Sequence, residues 1–246
     1  MNYTVLITGA NRGIGKALLQ LYLGLPNTTV IVGIRDPGHP SADDIRHLPV
    51  AANSHLIIVK IDSASSTDAQ AAIDILESQH GIKKIDTLIA NAGIANWAAA
   101  AQTTVSELED HLKINAVGPF ALYSAARRLL FNSKTPKFIV ISTELGSFGL
   151  MKERPLPAIA YGASKVAVNY LVVKLHYEEP DLIALPIHPG WVNTDSGNRL
   201  AKIVGMNDAP VTPSQAAEGV FEQIEKATKE KTSGQFIDFK GNAVSW

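Results

Sequence analysis

The chain has 246 residues, a formal net charge of −1 at pH 7 and a pI near 6.7, so it carries no basic field for nucleic acid or an anionic membrane. It contains no cysteine, which excludes disulfides and thiolate chemistry, and no apolar run approaches the roughly 20 residues that span a bilayer. No Pro-, Gly- or Ser-rich break divides the composition, so one domain over 1–246 is expected, with a small molecule as its partner. Met1-Asn2-Tyr3-Thr4 runs straight into an apolar segment without a leader pattern, and a cytoplasmic location is expected.

Tyr3 to Thr8 is an apolar run ending at glycine and reads as a buried strand feeding a turn. Directly after it, Thr8-Gly9-Ala10-Asn11-Arg12-Gly13-Ile14-Gly15 opens a helix from about Gly13 to Leu23, with Ile14, Leu18, Leu21 and Tyr22 as its apolar stripe. Glycine permits close approaches that a Cβ blocks, and a helix N-terminus offers free N–H groups and positive dipole to phosphate. A dinucleotide pyrophosphate would fit this turn. Its glycines at 9, 13 and 15 depart from the G-x-G-x-x-G spacing, and a plain Gly-rich turn is the alternative.

Further strands are expected over Thr29–Ile34, His55–Ile61, Thr87–Ala90, Lys137–Ser142 and Leu182–Ile187. Helical patterns lie near 66–79, 104–131 and 158–178, and a last helix near 213–228 precedes a short strand over Gln235–Asp238. Strands that are apolar throughout and alternate with helices predict an α/β, doubly wound parallel sheet of about seven strands with helices on both faces. Arg154-Pro155-Leu156-Pro157 breaks helix, so 146–157 is expected to loop over the end of the fifth strand.

Tyr161-Gly162-Ala163-Ser164-Lys165 sets a phenol and an ammonium at i and i+4, on one face of a helix. A free tyrosine has a pKa of about 10, and a nearby cation favours the phenolate, lowering that value toward the range useful for acid/base work. Taken alone, such a pair equally describes a solvated helix face.

In combination these segments resemble the short-chain dehydrogenase/reductase family. TGANRGIG matches that family's TGxxxGxG turn, Asn91-Ala92-Gly93 its NAG motif after the fourth strand, and YGASK its YxxxK active site. Pro189-Gly190-Trp191-Val192-Asn193-Thr194 matches its PGxVxT segment after the sixth strand. The matches run in family order across nearly the whole chain. Phe239-Lys240-Gly241 and the final Trp246 are similar to the small carbonyl reductase branch, with its fungal norsolorinic acid ketoreductase-like and sniffer-like proteins.

The resemblance implies a Rossmann-type fold, NADP(H), and reduction of a ketone, aldehyde or quinone by a tetrad of Asn115, a strand-end hydroxyl, Tyr161 and Lys165. Tyr161 would donate the proton, Lys165 would lower the phenol pKa and bind the nicotinamide ribose, and Asn115 would hold a water in a proton path to the lysine. Where the family has Ser-Ser-x-x-Gly, this chain has Ser142-Thr143-Glu144-Leu145-Gly146, so the hydroxyl is assigned to Thr143 with Ser142 as the alternative. A one-residue shift in a strand turns a side chain to the other face. The same resemblance assigns Gly9, Asn11, Arg12, Gly13, Ile14, Gly15, Asn91, Ala92 and Gly93 to cofactor binding. Asp62 would face the adenine edge, and Pro189, Gly190, Val192 and Thr194 the nicotinamide side.

At the end of the second strand Ile34 holds the usual acid position and Arg35 follows it, and an arginine there pairs with the extra phosphate of NADP. Arg12 adds a second guanidinium, while Asp36 keeps NAD open. The seven histidines lack the i, i+4 pairing of a helical metal site, and no catalytic metal is expected. Trp97, Phe148, Leu150, Met151, Trp191, Leu200, Ile203 and Met206 are expected near the C-terminal sheet edge, where they would receive an apolar, aromatic substrate or simply pack the loops. The family also implies a homodimer or homotetramer through the helices near 104–131 and 158–178, to which Leu108, Leu112, Leu122, Val168, Leu171 and Leu175 could contribute. The rival reading is a dinucleotide-sensing binding protein on the same fold without turnover.

Overall fold

Seven short apolar segments pair side by side in the computed structural model, which describes residues 3–246; the Met1-Asn2 start read above lies outside them. The strands are β1 (Tyr3–Thr8), β2 (Thr28–Ile34), β3 (His55–Lys60), β4 (Thr87–Ala90), β5 (Lys137–Ile141), β6 (Ile183–His188) and β7 (Ile237–Asp238). They form one parallel sheet in the order β3-β2-β1-β4-β5-β6-β7, with Leu6 opposite both Ile31 and Leu88. Parallel neighbours need crossovers, and helices supply them: α1 (Gly13–Leu23), α2 (Pro40–Arg46), α3 (Asp68–Ser78), α4 (Val105–Leu112), α5 (Gly118–Leu130), α6 (Ile159–Glu178), α7 (Asp195–Ile203) and α8 (Pro213–Lys226).

Side chains alternate along each strand, so the sheet feeds two cores. On one face Leu6, Ile31, Leu88, Phe138 and Val140 meet Leu76 of α3, Leu122 and Leu129 of α5, and Val168, Val172 and Leu175 of α6. On the other, Val5, Ile7, Val32, Ile139, Leu185 and Ile187 meet Leu18, Leu19 and Tyr22 of α1 and Val220 and Ile224 of α8. Each fully buried side chain of this kind contributes roughly 1.5–3 kcal/mol, so the sheet edge that carries the site is anchored from both sides.

The helix expected over 104–131 is broken. Lys113–Val117 is a π-helical turn between α4 and α5. Pro119 has no N–H to return to the Asn115 carbonyl four residues earlier, and the ladder slips, with Gly118 N–H donating to the Lys113 carbonyl. Two helices arrive that periodicity did not predict, α2 and α7. Both are short and open on polar N-caps: His39 accepts from Ser41 N–H and Thr194 from Gly197 N–H.

Candidate active site

Strand order reverses between β2-β1 and β4-β5, which opens a crevice at the C-terminal ends of β1 and β4. The glycine turn fills its floor. Gly9 and Gly13 have φ of +66° and +54°, and a Cβ on Gly15 would lie 2.5 Å from Asn91 Nδ2 and 2.6 Å from the Gly9 carbonyl. Asn91 locks this floor to β1, its Nδ2 donating to the Thr8 carbonyl at 2.8 Å while its backbone N–H and that of Ala92 donate to Thr8 Oγ1. Arg12 precedes α1 without capping it, and the first turn holds no acidic residue. The first N–H groups of α1 therefore have neither a side-chain cap nor a carboxylate in their own turn, and this donor set fits a dinucleotide's phosphates.

Beyond this floor opens a cleft of about 570 Å³. The Tyr161 phenol, from the first turn of α6, and the Thr143 hydroxyl both line it, close enough for the hydroxyl to favour ionisation of the phenol. The neighbouring Ser142 also lines the cleft, but its hydroxyl is engaged, donating to buried Asn169 Oδ1 at 2.6 Å. Lys165 is buried behind the tyrosine, its Nζ 5.8 Å from the Tyr161 ring centroid and donating to the Ile141 carbonyl at 2.7 Å. Trp97 meets the Tyr161 ring edge to face at 5.5 Å, and its Nε1 donates to the Ser196 carbonyl on α7. Trp191 Nε1 donates to the next carbonyl, that of Gly197. Behind the wall, Asn115 uses its whole amide: Oδ1 accepts from Ile94 N–H, and Nδ2 donates to the Ile94 carbonyl and to Ser164 Oγ. Ser164 in turn donates to the Tyr161 carbonyl at 2.7 Å.

The short chain dehydrogenase family model matches residues 3–203. The chain belongs to that family. Its relatives include a norsolorinic acid ketoreductase of Aspergillus parasiticus, 38% identical over 245 residues, with 98% of this chain and 90% of the relative covered. Among solved structures, the NADPH-bound carbonyl reductase from chicken fatty liver superposes with a TM-score of 0.86 at 26% identity. The carbonyl reductase Sniffer of D. melanogaster superposes with 0.83 at 26% identity, and both alignments cover 100% of each chain. These similarities agree with the branch suggested by the C-terminal residues.

In this short-chain dehydrogenase one cavity gathers Ile14, Asn91, Gly93, Thr143, Tyr161, Lys165, Pro189, Gly190, Val192 and Thr194. Gly9, Gly13, Gly15 and Ala92 form the floor without lining that cavity, and Asn115 lies fully buried behind Gly93. Asn11, Arg12, Arg35 and Asp62 lie outside it. Asn11 donates to Ser41 Oγ, exposed Arg12 pairs with Asp195 at 3.2 Å, and one Asp62 oxygen accepts from Ala64 N–H. Of the expected apolar lining, Trp97, Trp191 and Leu200 face the cleft, whereas Phe148, Leu150 and Met151 line a separate cavity of about 320 Å³. Ile203 and Met206 are exposed on the surface and line neither.

The phenol departs from expectation in direction. Burial pushes Tyr161 up to about 12, opposed only by the nearby Thr143 hydroxyl, and burial brings Lys165 down to about 8. The lysine lies over the ring rather than at the phenol oxygen and is itself desolvated, so in the chain alone its charge does not offset the tyrosine's burial. Sequence reasoning also passed over Ser164, Arg154 and His188. Ser164 stood inside the YGASK motif, but Arg154 and His188 reach the cleft from a loop and a strand end with no motif to mark their direction.

Proposed function

We propose that this chain is a cytoplasmic NADP(H)-dependent reductase of a ketone, aldehyde or quinone carried by a mostly apolar small molecule. The observation that carries the reading is the gathering of the Tyr161 phenol and the Thr143 hydroxyl in one largely apolar cleft, with Lys165 buried behind the phenol and the uncapped N-terminus of α1 at the crevice floor. Bound NADPH supplies a hydride to the carbonyl carbon. Thr143 and Tyr161 direct two O–H groups at the carbonyl oxygen, and Tyr161 delivers its proton there as negative charge develops. The buried Lys165 ammonium favours the phenolate that is left. Asn115 and Ser164 act as positioning residues by tying the Gly93–Ile94 segment to α6. Trp97, Trp191, Leu145, Leu156 and Leu200 exclude water from the reacting centre.

For cofactor choice, Arg35 stands exposed at the end of β2 and makes no ion pair among the described residues, while the Asp36 carboxylate accepts from Gly38 N–H. The free guanidinium is therefore the group we assign to the 2′-phosphate of NADP, with Arg12 as a second once it leaves its exposed and weak pairing to Asp195. The bound NADPH of the chicken enzyme supports this choice. We also read the chain as a homodimer. Leu122, Val168 and Leu175 pack on the sheet, but Val117 of the π turn, Phe120 of α5 and Ile159, Tyr170 and Tyr177 of α6 leave apolar side chains exposed, and a sedimentation run showing only monomer at micromolar concentration would refute it.

The test is NADPH oxidation against aromatic ketones, quinones and small aldehydes, with NADH in parallel and Tyr161→Phe as control. Turnover that favours NADPH and collapses in the variant supports the reductase. Tight NADPH binding without turnover on any compound favours a dinucleotide-sensing protein instead.

A further inference from the structure

The ring that meets Tyr161 edge to face, Trp97, comes from the connection between β4 and α4. Among the described residues, 93–98 make no backbone–backbone hydrogen bond. A connection without a ladder of its own takes its shape from the side chains that grip it. Here they do so residue by residue. Asn115 takes both backbone groups of Ile94, and Arg199 Nη2 donates to the Ala95 carbonyl at 3.3 Å. His111 Nε2 accepts from Asn96 N–H at 3.1 Å, and the Trp97 indole itself reaches the Ser196 carbonyl at 3.0 Å.

Of these grips, His111 is the one next to Trp97 in the chain. It lies fully buried on the last turn of α4, and its other nitrogen, Nδ1, is 2.6 Å from the Glu107 carbonyl. A carbonyl only accepts and an amide N–H only donates, so the two backbone partners assign the tautomer. The ring is neutral, with its proton on Nδ1 and a lone pair on Nε2. The helix that presents it is fixed at its start by a capping box, in which Glu107 N–H donates to Thr104 Oγ1 and Thr104 N–H to Glu107 Oε2. His111 therefore holds the backbone from which the indole projects, and the Ser196 carbonyl holds the far end of the indole.

We propose that His111 is a positioning residue for the reduction: through Asn96 N–H it holds Trp97 against Tyr161 and so sets the orientation of the phenol. The inference rests on the reductase reading and deepens it. Tyr161 sits in the first turn of α6, whose N-cap residue makes no side-chain hydrogen bond, so packing on the ring has to fix what the helix end does not. An edge-to-face pair prefers one geometry, and a misplacement of about 1 Å at a reacting group lowers a rate by as much as about 10²-fold. The tie also has a chemical signature. Asparagine in place of His111 keeps a donor for the Glu107 carbonyl but stops short of Asn96, whereas glutamine carries an amide oxygen to about the reach of Nε2.

The test uses the full chain loaded with NADPH and the ketone that wild type reduces fastest, in His111→Asn, His111→Gln, Trp97→Ala and the double variant His111→Asn/Trp97→Ala. Three quantities are read: kcat and KM separately, Tm, and the fluorine NMR spectrum of protein labelled with 5-fluorotryptophan. The chain has three tryptophans, and the Trp97 line is the one lost in Trp97→Ala. His111→Asn should lower kcat about tenfold and displace or broaden the Trp97 line. His111→Gln should recover most of both, even where its Tm is no higher than that of His111→Asn. Trp97→Ala should cost at least as much, and adding His111→Asn to it less than about twofold more, because a residue that acts through Trp97 then has nothing left to act on. Equal kcat in His111→Asn and His111→Gln overturns the proposal, as do losses that multiply in the double variant. Trp97 is only half-buried, so its removal spares the core. A Trp97→Ala enzyme with kcat within about twofold of wild type overturns the proposal even if no His111 variant folds. The two readings fail separately. A Trp97 line displaced in His111→Asn and restored in His111→Gln, without turnover on any compound, keeps the His111–Trp97 tie and refutes the reductase. Turnover with that line unmoved does the reverse.

Discussion

At the glycine-turn end of the cleft the groups that face a ligand are backbone N–H groups, placed by φ angles and by approaches too tight for a Cβ. At the other end they are side chains: Thr143 and Glu144 just past β5, Arg154 on the following loop and His188 at the tip of β6. The first end is built from geometry shared by every dinucleotide, since a pyrophosphate is the same whatever the substrate. The second is built from chemistry that differs with each substrate, and loops tolerate such change at little cost to the core beneath them. One fold therefore holds a constant half and a variable half, and Tyr161 stands at the seam.

Removing the seam should have the largest effect. Tyr161→Phe deletes the proposed proton donor and keeps the ring against Trp97, so reductase turnover should drop by about 10²–10⁴-fold while NADPH affinity stays within a few-fold. A loss of NADPH binding of the same size would show that the two halves are not separable. Next comes the hydroxyl pair. Thr143→Val removes the second hydroxyl of the cleft beside the Tyr161 phenol and should lower kcat roughly 10- to 100-fold, in proportion to one lost hydrogen bond in the transition state. Ser142→Ala, by contrast, strands buried Asn169 Oδ1 and should cost about 1–3 kcal/mol of stability, read as a lower Tm, with kcat little changed. The opposite pattern would move the substrate hydroxyl to Ser142. At the constant end, Arg35→Ala should weaken NADPH binding about 10-fold and leave NADH binding as it is; equal losses for both would assign Arg35 to the ribose rather than the phosphate.

The same division explains what could be read from the sequence. The sheet was legible because buried parallel strands are apolar throughout, and the glycine turn because Gly9, Gly13 and Gly15 each meet a steric demand that leaves a mark in residue type. Tyr161 and Lys165 were legible because a helix fixes their shared face. The break at Lys113–Val117 was not, although Pro119 carried the signal: the apolar rhythm continues through a π turn, and periodicity alone does not report a slipped ladder. The motif assigns Thr143 with Ser142 as the alternative, because in a strand the two faces differ by one residue; the structure adds that the Ser142 hydroxyl is engaged with Asn169. Phe148 and Met151 were near the site in sequence yet fell into a neighbouring cavity, since a loop has no period from which to derive a direction.

The smallest effect bears on how the seam itself is tuned. Lys165 is held at about 8 against an ordinary value of 10.5, and Tyr161 at about 12, so rising pH removes the ammonium well before it removes the phenolic proton. In the proposed mechanism the acid is then present but has lost the charge that would favour its conjugate base, and kcat/KM for NADPH, which reports groups of the free enzyme, should fall by a few-fold as pH rises through about 8. Stability should move the other way. Between about 8 and 10.5 the unfolded chain binds a proton at this lysine that the native state has already released, so unfolding takes up a proton and stability increases with pH. Activity falling while Tm rises across that window would tie the loss to Lys165 charge and not to unfolding. A profile flat to pH 10, with Tyr161→Phe still inactive, would mean that the phenol works without the lysine's charge, leaving Lys165 to the constant half of the cleft as a cofactor ligand.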